Sequence, residues 1–245
     1  MRTLVLNALC GGTTLGCLQS KATVVGVCDP NRHHERNFPN IPVFSSTHDV
    51  RKIPHADLTI AMIQPNKISS LSPWVCLGLL PRQIVFFTRM KKWPKWIRGL
   101  DNKWNWWFES LAVRDFGVPV KTRLKFAVGF RKDIKVTFSH FPFPEKRGSV
   151  TLTKFLDPCP DESLYVKNTN NFKLIKPDGI WPISYGKKYL LNDQQRARKL
   201  SFIEMKRIWG FPENFSTGTT ENIFKEPHPP IIADVVKEVI DWAWV

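Results

Sequence analysis

The chain has 245 residues, and its 36 lysines and arginines against 21 aspartates and glutamates give a formal net charge of +15 at pH 7. Hydrophobic residues make up 42% and charged residues 23%, as in ordinary globular proteins, so global disorder is excluded. No run approaches the roughly 18 apolar residues that a membrane-spanning helix needs, and the apolar run before Asn7 is too short for a secretory signal.

The charge and the cysteines indicate the setting in which the protein works. So large a positive charge predicts a polyanionic partner, most simply nucleic acid, with DNA favoured over RNA. The five cysteines are odd in number and show no Cys-x-x-Cys pair and no histidine at zinc-ligand spacing. They therefore predict free thiols in an intracellular location (cytoplasm, nucleus or organelle) and no metal site.

The first 90 residues read as strands that alternate with helix-length connections. An extended piece is predicted at residues 41–44 and a helix near residues 15–20. The predicted strands are Thr3–Leu6, Thr23–Val27, Asp57–Ile63 and Gln83–Phe87. Strands with this spacing predict an α/β fold, a parallel sheet with crossover connections.

Beyond residue 89 the pattern changes, because residues 89–108 mix cations with tryptophans. Lys125–Val128 and Lys135–Phe138 are predicted as paired strands around a turn at residues 131–133. From Phe141 to about Leu191 the chain is rich in Pro, Asn, Lys and Gly, which predicts a small irregular lobe.

Two predicted helices close the chain. In Ser201–Trp209, Ser201 and Glu204 have the spacing of a capping box. Pro227–Trp244 places valines and isoleucines on one helical face. The predicted organisation is an α/β domain over 1–140, a lobe over 141–198, and C-terminal helices over 199–245.

Three stretches, in order along the chain, resemble the cytosine-C5 DNA methyltransferases. Asp57–Ala61 (DLTIA) is similar to the strand before that family's catalytic loop. Asp115–Arg131 (DFGVPVKTRLKFAVGFR) resembles the block YGVPQxRxRxxxVGxR, and Arg198–Glu204 (RKLSFIE) with Ile208–Phe215 (IWGFPENF) resembles RxLTxxExxRLQGFPxxF. The resemblance spans nearly the whole chain and implies a Rossmann-like methyltransferase sheet with a small target-recognition-like lobe. It also implies that the C-terminal helices return to the first domain, with the closing helix beside the first strand.

The resemblance also implies a site for S-adenosylmethionine. The family's glycine loop falls on residues 9–14, where Leu9 and Gly11 would face the methyl donor. Asp29 stands where an acid would hold the ribose hydroxyls, and Asp49 where an aspartate would meet the adenine amino group. Two threonines replace the later glycines of the loop, and both aspartates also suit ordinary turns. Binding of S-adenosylmethionine is therefore left open, and no cofactor is predicted to be required.

The residues that the family's chemistry requires are replaced in this chain. The cysteine of Pro-Cys-Gln, the glutamate of Glu-Asn-Val and the arginines of QxRxR fall on Pro65, Phe87, Thr122 and Leu124. In the family a thiolate adds to carbon 6 of cytosine, and proline offers no nucleophile. The nearest cysteine, Cys76, lies in an apolar stretch typical of a core. The connection to Phe87 is also too short for a catalytic loop and covering helix, so we expect no cytosine methylation by this chain alone.

The basic, tryptophan-rich segment is a second candidate site. Cations can contact phosphates, and exposed tryptophans can stack on unpaired bases. The predicted nucleic-acid-binding residues are Arg89, Lys91, Lys92, Trp93, Lys95, Trp96, Arg98, Lys103, Lys187 and Lys188. The alternative is that the tryptophans pack in the core or at an interface. Because the shortened connection would expose apolar sheet surface, a protein partner is predicted over residues 65–108.

The leading hypothesis is a catalytically inactive methyltransferase-like protein that acts as a nucleic-acid-binding or structural or regulatory subunit of a larger assembly. Two alternatives stay open. One is a subunit of a split or heteromeric cytosine-C5 methyltransferase whose nucleophile comes from another chain, and the other is a sensor of S-adenosylmethionine. A divergent, shortened copy of the family also suits a viral or mobile-element origin.

Overall fold

The computed structural model describes residues 1–29, 32–44, 53–63, 81–98, 102–158, 160–182, 188–193, 196–218 and 223–243. Its central element is a seven-stranded sheet with the strand order β3-β2-β1-β4-β5-β8-β6. These strands are β1 (Arg2–Leu6), β2 (Thr23–Cys28), β3 (Val43–Phe44), β4 (Leu58–Met62), β5 (Gln83–Thr88), β6 (Trp104–Ala112) and β8 (Arg123–Arg131). The first five strands in that order are parallel, and β8 is antiparallel to both of its neighbours. The predicted parallel sheet and Rossmann-like α/β fold are confirmed.

Helices and two small sheets complete the described part of the chain. The helices are α1 (Gly12–Gln19), α2 (Lys95–Arg98), α3 (Phe202–Trp209) and α4 (Pro229–Trp242), with 3-10 turns at Arg32–Arg36, Val113–Asp115, Leu152–Phe155 and Glu162–Leu164. The small sheets pair β7 (Val120–Lys121) with β10 (Trp181–Pro182), and β11 (Lys188–Asp193) with β9 (Phe172–Ile175) and β12 (Arg196–Arg198). None of the described helices is long and apolar enough to cross a membrane. The division at residues 140 and 198 stays a prediction.

The predicted pairing of Lys125–Val128 with Lys135–Phe138 is wrong. Strand β8 pairs instead with β5 on one side and β6 on the other. Residues 135–138 lie outside the strands, and two apolar side chains of this segment pack onto the core. Their alternation with polar residues imitates a strand because an irregular segment that covers a sheet also buries alternate side chains.

An apolar core lies on each face of the central sheet. On β5, Val85 and Phe87 face the core that includes α1, α3 and α4. The alternate residues Ile84 and Phe86 face the second core, which includes tryptophans from the basic segment. Both faces of β5 are therefore buried, as expected of a strand inside a parallel sheet.

The resemblance implies a closing helix beside the first strand, and in the structure α4 packs against α1, the helix that follows that strand. The two helices approach so closely that a Cβ at Gly16 of α1 would lie 2.6 Å from Cβ of Ile232 in α4. The helix begins at Pro229, two residues later than predicted, and proline suits a first helical position because its missing N–H has no helical partner there. This packing places the segment before α4 beside the start of α1.

The predicted capping box at the start of α3 is confirmed. Ser201 Oγ accepts a hydrogen bond from Glu204 N at 3.1 Å, and Glu204 Oε2 accepts one from Ser201 N at 2.8 Å. The fully buried Glu204 carboxylate also accepts bonds from both terminal nitrogens of Arg198 at 2.8 Å and from Asp157 N at 2.9 Å. Arg198 Nε donates to Asp193 Oδ2 at 2.7 Å. This buried ion pair fastens the three-stranded sheet to α3.

Candidate functional site

The loop from β1 to α1 brings together three of the four predicted cofactor residues. Leu9 and Gly11 lie in left-handed backbone, with φ of +54° and +113°. Asp29, at the end of β2, accepts a hydrogen bond from Leu9 N on Oδ2 at 2.7 Å and is 1% exposed. Because a left-handed leucine is strained, this bond helps to hold the loop in shape. Asp49 lies outside the described residues.

Glu226, which no sequence motif marks, binds two further amides of the same loop. Its Oε1 accepts a hydrogen bond from Cys10 N at 2.7 Å, and its Oε2 accepts one from Gly12 N at 2.9 Å. The carboxylate thus lies at the start of α1, where the exposed amides of a helix attract anions. Burial raises the pKa of Glu226 to about 7, although both amide hydrogen bonds favour the charged form. The bonded residues Cys10 and Glu226 lie 216 positions apart, so no local pattern could reveal the contact.

A segment after β2 covers the glycine loop from outside. A Cβ at Gly11 would lie 2.6 Å from the ring of Phe38, so the ring lies directly against the loop. Asn37 donates a hydrogen bond to a loop carbonyl at 2.8 Å. His34 Nε2 lies 3.0 Å from Thr14 Oγ1, and burial lowers the pKa of His34 to about 4. Thr14 Oγ1 and the carbonyl of Cys10 therefore find partners within the chain, whereas the buried Thr13 Oγ1 has none among the described residues.

Of the positions that the resemblance aligns with the family's catalytic residues, three lie in the described structure. Phe87 is fully buried, with its ring centroid 5.8 Å from that of Phe126. Leu124 is fully buried in the same core. Thr122, between β7 and β8, accepts a backbone hydrogen bond from Val113 N. Pro65 lies outside the described residues. Hydrocarbon thus stands at two positions where the family chemistry needs a carboxylate and a guanidinium.

The arginines nearest to these positions bind elsewhere in the protein. Arg123 Nε donates to Ser110 Oγ at 3.0 Å on an exposed edge of the sheet. Arg89 donates to the backbone carbonyls of Phe224 at 2.6 Å and Glu226 at 2.5 Å. Arg89, predicted as a nucleic-acid contact, therefore has a role within the fold, where it joins the end of β5 to the segment before α4.

The described cysteines are poor candidates for a nucleophile or a metal ligand. Cys10, Cys17 and Cys28 are free and buried, and burial raises the pKa of each thiol to about 12. Thiols with such a pKa stay protonated near neutral pH and react slowly. Within the described ranges, no three His, Cys, Asp or Glu side chains are grouped as a metal site requires. Cys76 and Cys159 lie outside the described residues.

A cleft of about 740 Å³ lies beyond the end of β5. The cleft, here termed the lysine cleft, is lined by Lys91, Lys92, Trp93, Lys95, Ile97, Phe108 and Lys125. Lys125 belongs to β8, where it pairs with Thr88, the last residue of β5. In the part of the chain that the structure describes, no carboxylate forms an ion pair with any of these lysines. The predicted residues Lys91, Lys92, Trp93 and Lys95 are therefore brought together at one basic surface.

Trp93 lines the lysine cleft, whereas other tryptophans of this segment pack within the fold. Trp96 contacts Phe86 edge-on with ring centroids 5.4 Å apart, and Trp106 stacks on the same ring at 5.7 Å. Trp104 is buried. For these three residues the structure favours the packing interpretation over base stacking.

Phe108 is a cleft residue that the sequence prediction missed. It is 43% exposed, and its ring centroid lies 5.8 Å from that of Trp93. The signal was present in the alternation of Trp104, Trp106 and Phe108, because alternate residues of a strand share one face. Recognition of β6 as a strand would have placed Phe108 beside the tryptophans.

Lys103, another of the predicted cations, does not line the cleft. Lys103 precedes β6 at the opposite end of the strand pair, where its carbonyl accepts a hydrogen bond from Lys132 N. Lys125 lies six positions along β8 from Arg131, the partner of the first β6 residue, which corresponds to about 20 Å. The side chains of Arg98 and Lys188, and the whole of Lys187, lie outside the described residues.

Solved structures of methyltransferases resemble the whole chain. No protein-family model matches the sequence, and neither does any curated protein. A prophage-encoded E. coli protein, assigned as a DNA modification methyltransferase, has a TM-score of 0.79 at 14% identity, covering 99% of both chains. A variant of DNMT2 from Spodoptera frugiperda has a TM-score of 0.77 at 12% identity, covering 98% of this chain and 99% of that one. The S. pombe Dnmt2 methyltransferase has a TM-score of 0.72 at 13% identity, covering 98% of both chains. The chain therefore has, over almost its whole length, the fold of these methyltransferases.

Proposed function

We propose that the protein is a divergent member of the cytosine-C5 methyltransferase family that binds nucleic acid through the lysine cleft and does not itself methylate cytosine. The observation that carries the proposal is the lysine cleft itself. Four ammonium groups and an exposed aromatic ring surround a volume at the carboxyl end of β5. In α/β proteins, ligands bind at this end of the strands.

The chemistry of the cleft suits a nucleotide chain better than an isolated anion. Lysines neutralise phosphates along a backbone, and aromatic rings offer a stacking surface for bases. Phe108 and Trp93 form the aromatic wall, and Lys91, Lys92 and Lys95 lie on the same segment as Trp93. An unpaired base on this wall would have phosphates within reach of the lysines, so single-stranded nucleic acid fits the cleft best.

The absence of methyl transfer is supported by the buried side chains at the catalytic positions. A carboxylate must contact the base, but Phe87 is inside the core against Phe126. The described thiols are held in the high-pKa, protonated form. A carboxylate at position 87 or an exposed thiolate at one of the described cysteines would require repacking of the core.

We further propose that the protein is a structural or regulatory subunit, a role that requires nucleic-acid binding but no methyl transfer. Trp93, Trp96 and Trp106 cover part of the sheet face on which a protein partner is predicted. The partner over residues 65–108 stays a prediction, because residues 64–80 lie outside the described structure.

Salt-dependent binding tests the proposal. The purified chain is titrated into a fluorescently labelled single strand and into the matching duplex at several salt concentrations, with anisotropy as the readout. We expect tighter binding of the single strand, and a Lys91→Gln/Lys92→Gln/Lys95→Gln variant should lower the slope of log affinity against log salt by about 2 units. The matched control Lys132→Gln/Lys135→Gln/Lys237→Gln removes the same charge at other exposed positions and should keep the wild-type slope.

Equal losses in the two triple variants would show that net charge, and not the lysine cleft, governs binding. The second half of the proposal is tested with a tritiated methyl donor and cytosine-containing DNA and RNA. Incorporation of label by the purified chain alone would contradict it.

A further inference from the structure

The glycine loop bears on whether the methyl donor can bind at all. The resemblance to cytosine-C5 methyltransferases implies S-adenosylmethionine, whose amino-acid end carries a carboxylate. Backbone amides at the start of a helix are the groups that hold such an anion. In this chain, the amides of Cys10 and Gly12 already donate to Glu226, at 2.7 and 2.9 Å. The residues present therefore do not fit the donor's carboxylate.

We infer that Glu226 takes the place of the ligand carboxylate and closes the glycine loop to S-adenosylmethionine and to other nucleosides that carry an amino-acid end. The inference does not rest on the proposed nucleic-acid binding, because none of the described residues that line the lysine cleft belongs to the glycine loop or contacts it through Glu226.

The contact between Glu226 and the loop is built into the local packing. A Cβ at position 12 would lie 2.8 Å from Glu226 Oε2 and 3.0 Å from the carbonyl oxygen of Pro227, so glycine is needed for this approach. Arg89 holds the backbone of the segment through the carbonyls of Phe224 and Glu226. The carboxylate is thus positioned from both sides and is not a loosely held surface side chain.

The residues around the glycine loop also disfavour the binding of a ligand carboxylate there. The buried Asp29 carboxylate also bonds the loop, where it accepts the Leu9 amide. A ligand carboxylate near the amides of residues 10–12 would therefore face two buried acidic side chains, and like charges repel strongly where water is excluded. Phe38 covers Gly11 and leaves little room above the loop.

A pair of ligands and one substitution test this inference. S-adenosylhomocysteine carries the amino-acid end, and 5′-methylthioadenosine has the same nucleoside and a thioether but no carboxylate. Binding of each ligand to the wild type and to Glu226→Ala is measured by isothermal titration calorimetry. We expect the wild type to bind S-adenosylhomocysteine at least tenfold more weakly than the variant, and the affinity for 5′-methylthioadenosine to be the same in both.

Three results would overturn the inference. The first is that the wild type binds S-adenosylhomocysteine tightly and Glu226→Ala binds it no more tightly. The second is that the substitution raises the affinity for both ligands equally. The third is that Glu226→Ala folds but binds neither ligand. Should Glu226→Ala fail to fold, as judged by circular dichroism, Glu226→Ser carries the same expectations, because its hydroxyl can accept one amide bond without a charge. Single-strand binding by each variant separates this result from the proposed function, since it should match the wild type in either case.

Discussion

The glycine loop and the lysine cleft both lie at the carboxyl ends of parallel strands, but their charged groups have opposite surroundings. At the loop, the carboxylates of Asp29 and Glu226 are buried and bind backbone amides. In the cleft, lysines surround open volume and form no ion pair with the described carboxylates. Buried charge that is satisfied internally maintains a fold, whereas surface charge that is not balanced is available to a ligand.

This difference predicts that substitutions on the loop side and in the buried catalytic positions change folding stability, and that substitutions in the cleft change binding.

Restoring an acid at the catalytic position should unfold much of the protein. Phe87→Glu places a carboxylate in the core beside Phe126, and an unpaired buried charge costs several kcal/mol. We expect a loss of at least about 4 kcal/mol in the free energy of unfolding, measured with urea at pH 8. Phe87→Leu is the control and should lose about 1–2 kcal/mol. A Phe87→Glu protein as stable as the control would show that this position opens to solvent.

Glu226 should give the protein a pH dependence that Glu226→Gln lacks. The pKa of Glu226 is about 7 in the folded protein against an ordinary value of 4.5. The folded state therefore keeps a proton that the unfolded state loses, so this contribution to stability is complete below pH 4.5 and is lost as the pH rises through 7. Between pH 4 and pH 8, roughly, the wild type should lose on the order of 3 kcal/mol relative to Glu226→Gln in urea unfolding.

Two histidines change the stability of the protein with pH in the opposite direction to Glu226. Both are present in the wild type and in Glu226→Gln. Burial lowers the pKa of His34 to about 4 and that of His228 well below 6.5, so their stabilising effect is lost as the pH falls below 6.5. The histidine contributions therefore cancel when the free energy of unfolding of Glu226→Gln is subtracted from that of the wild type. A difference that stays constant over the pH range would mean that the Glu226 carboxyl has an ordinary pKa.

Removal of the exposed ring in the cleft should weaken binding without changing stability. Phe108→Ala removes a stacking surface for an unpaired base, which contributes about 1–3 kcal/mol. Anisotropy with a single strand should show a loss of roughly fivefold or more, and thermal unfolding should be nearly unchanged. Phe202→Ala removes a ring of similar exposure on α3 and should bind as the wild type does. Equal losses for both variants would remove Phe108 from the site.

Lys103→Gln should have the smallest effect. Its position near the start of β6, about 20 Å along the strand pair from Lys125, lies beyond the distance over which a surface charge acts at physiological salt. The single-strand affinity should change by less than about twofold. A loss as large as that of a single cleft lysine variant, Lys92→Gln, would extend the binding surface along the whole of β6.

The elements with strong local patterns could be predicted from the sequence, but contacts between distant segments could not. Buried strands such as β4 and β5 follow from short β-branched and apolar runs, and Ser201 with Glu204 marks the start of α3 by local hydrogen bonds alone. Strand β6 was missed because its tryptophans stand among cations and asparagine, a composition that favours a binding surface.

The candidate site shows the same division. That Leu9, Gly11 and Asp29 lie close together could be predicted because they follow the ends of neighbouring strands, whereas their role as cofactor contacts stays a prediction. The part played by Glu226 could not, because it depends on how α4 packs against α1. Likewise, Lys125 belongs to the cleft only through the register of β8 on β5, which no local pattern fixes.

The ion pair of Arg198 with Glu204 has a mechanical consequence. To swing the three-stranded sheet away from α3 would break both hydrogen bonds between Arg198 and Glu204 at once, because Arg198 and Asp193 belong to the sheet whereas Glu204 and Ser201 belong to the helix. The penalty for such separation is several kcal/mol, roughly as for other buried pairs. We therefore expect this small sheet and α3 to tilt as one rigid body when a ligand enters or leaves, with any flexing confined to the segments on either side.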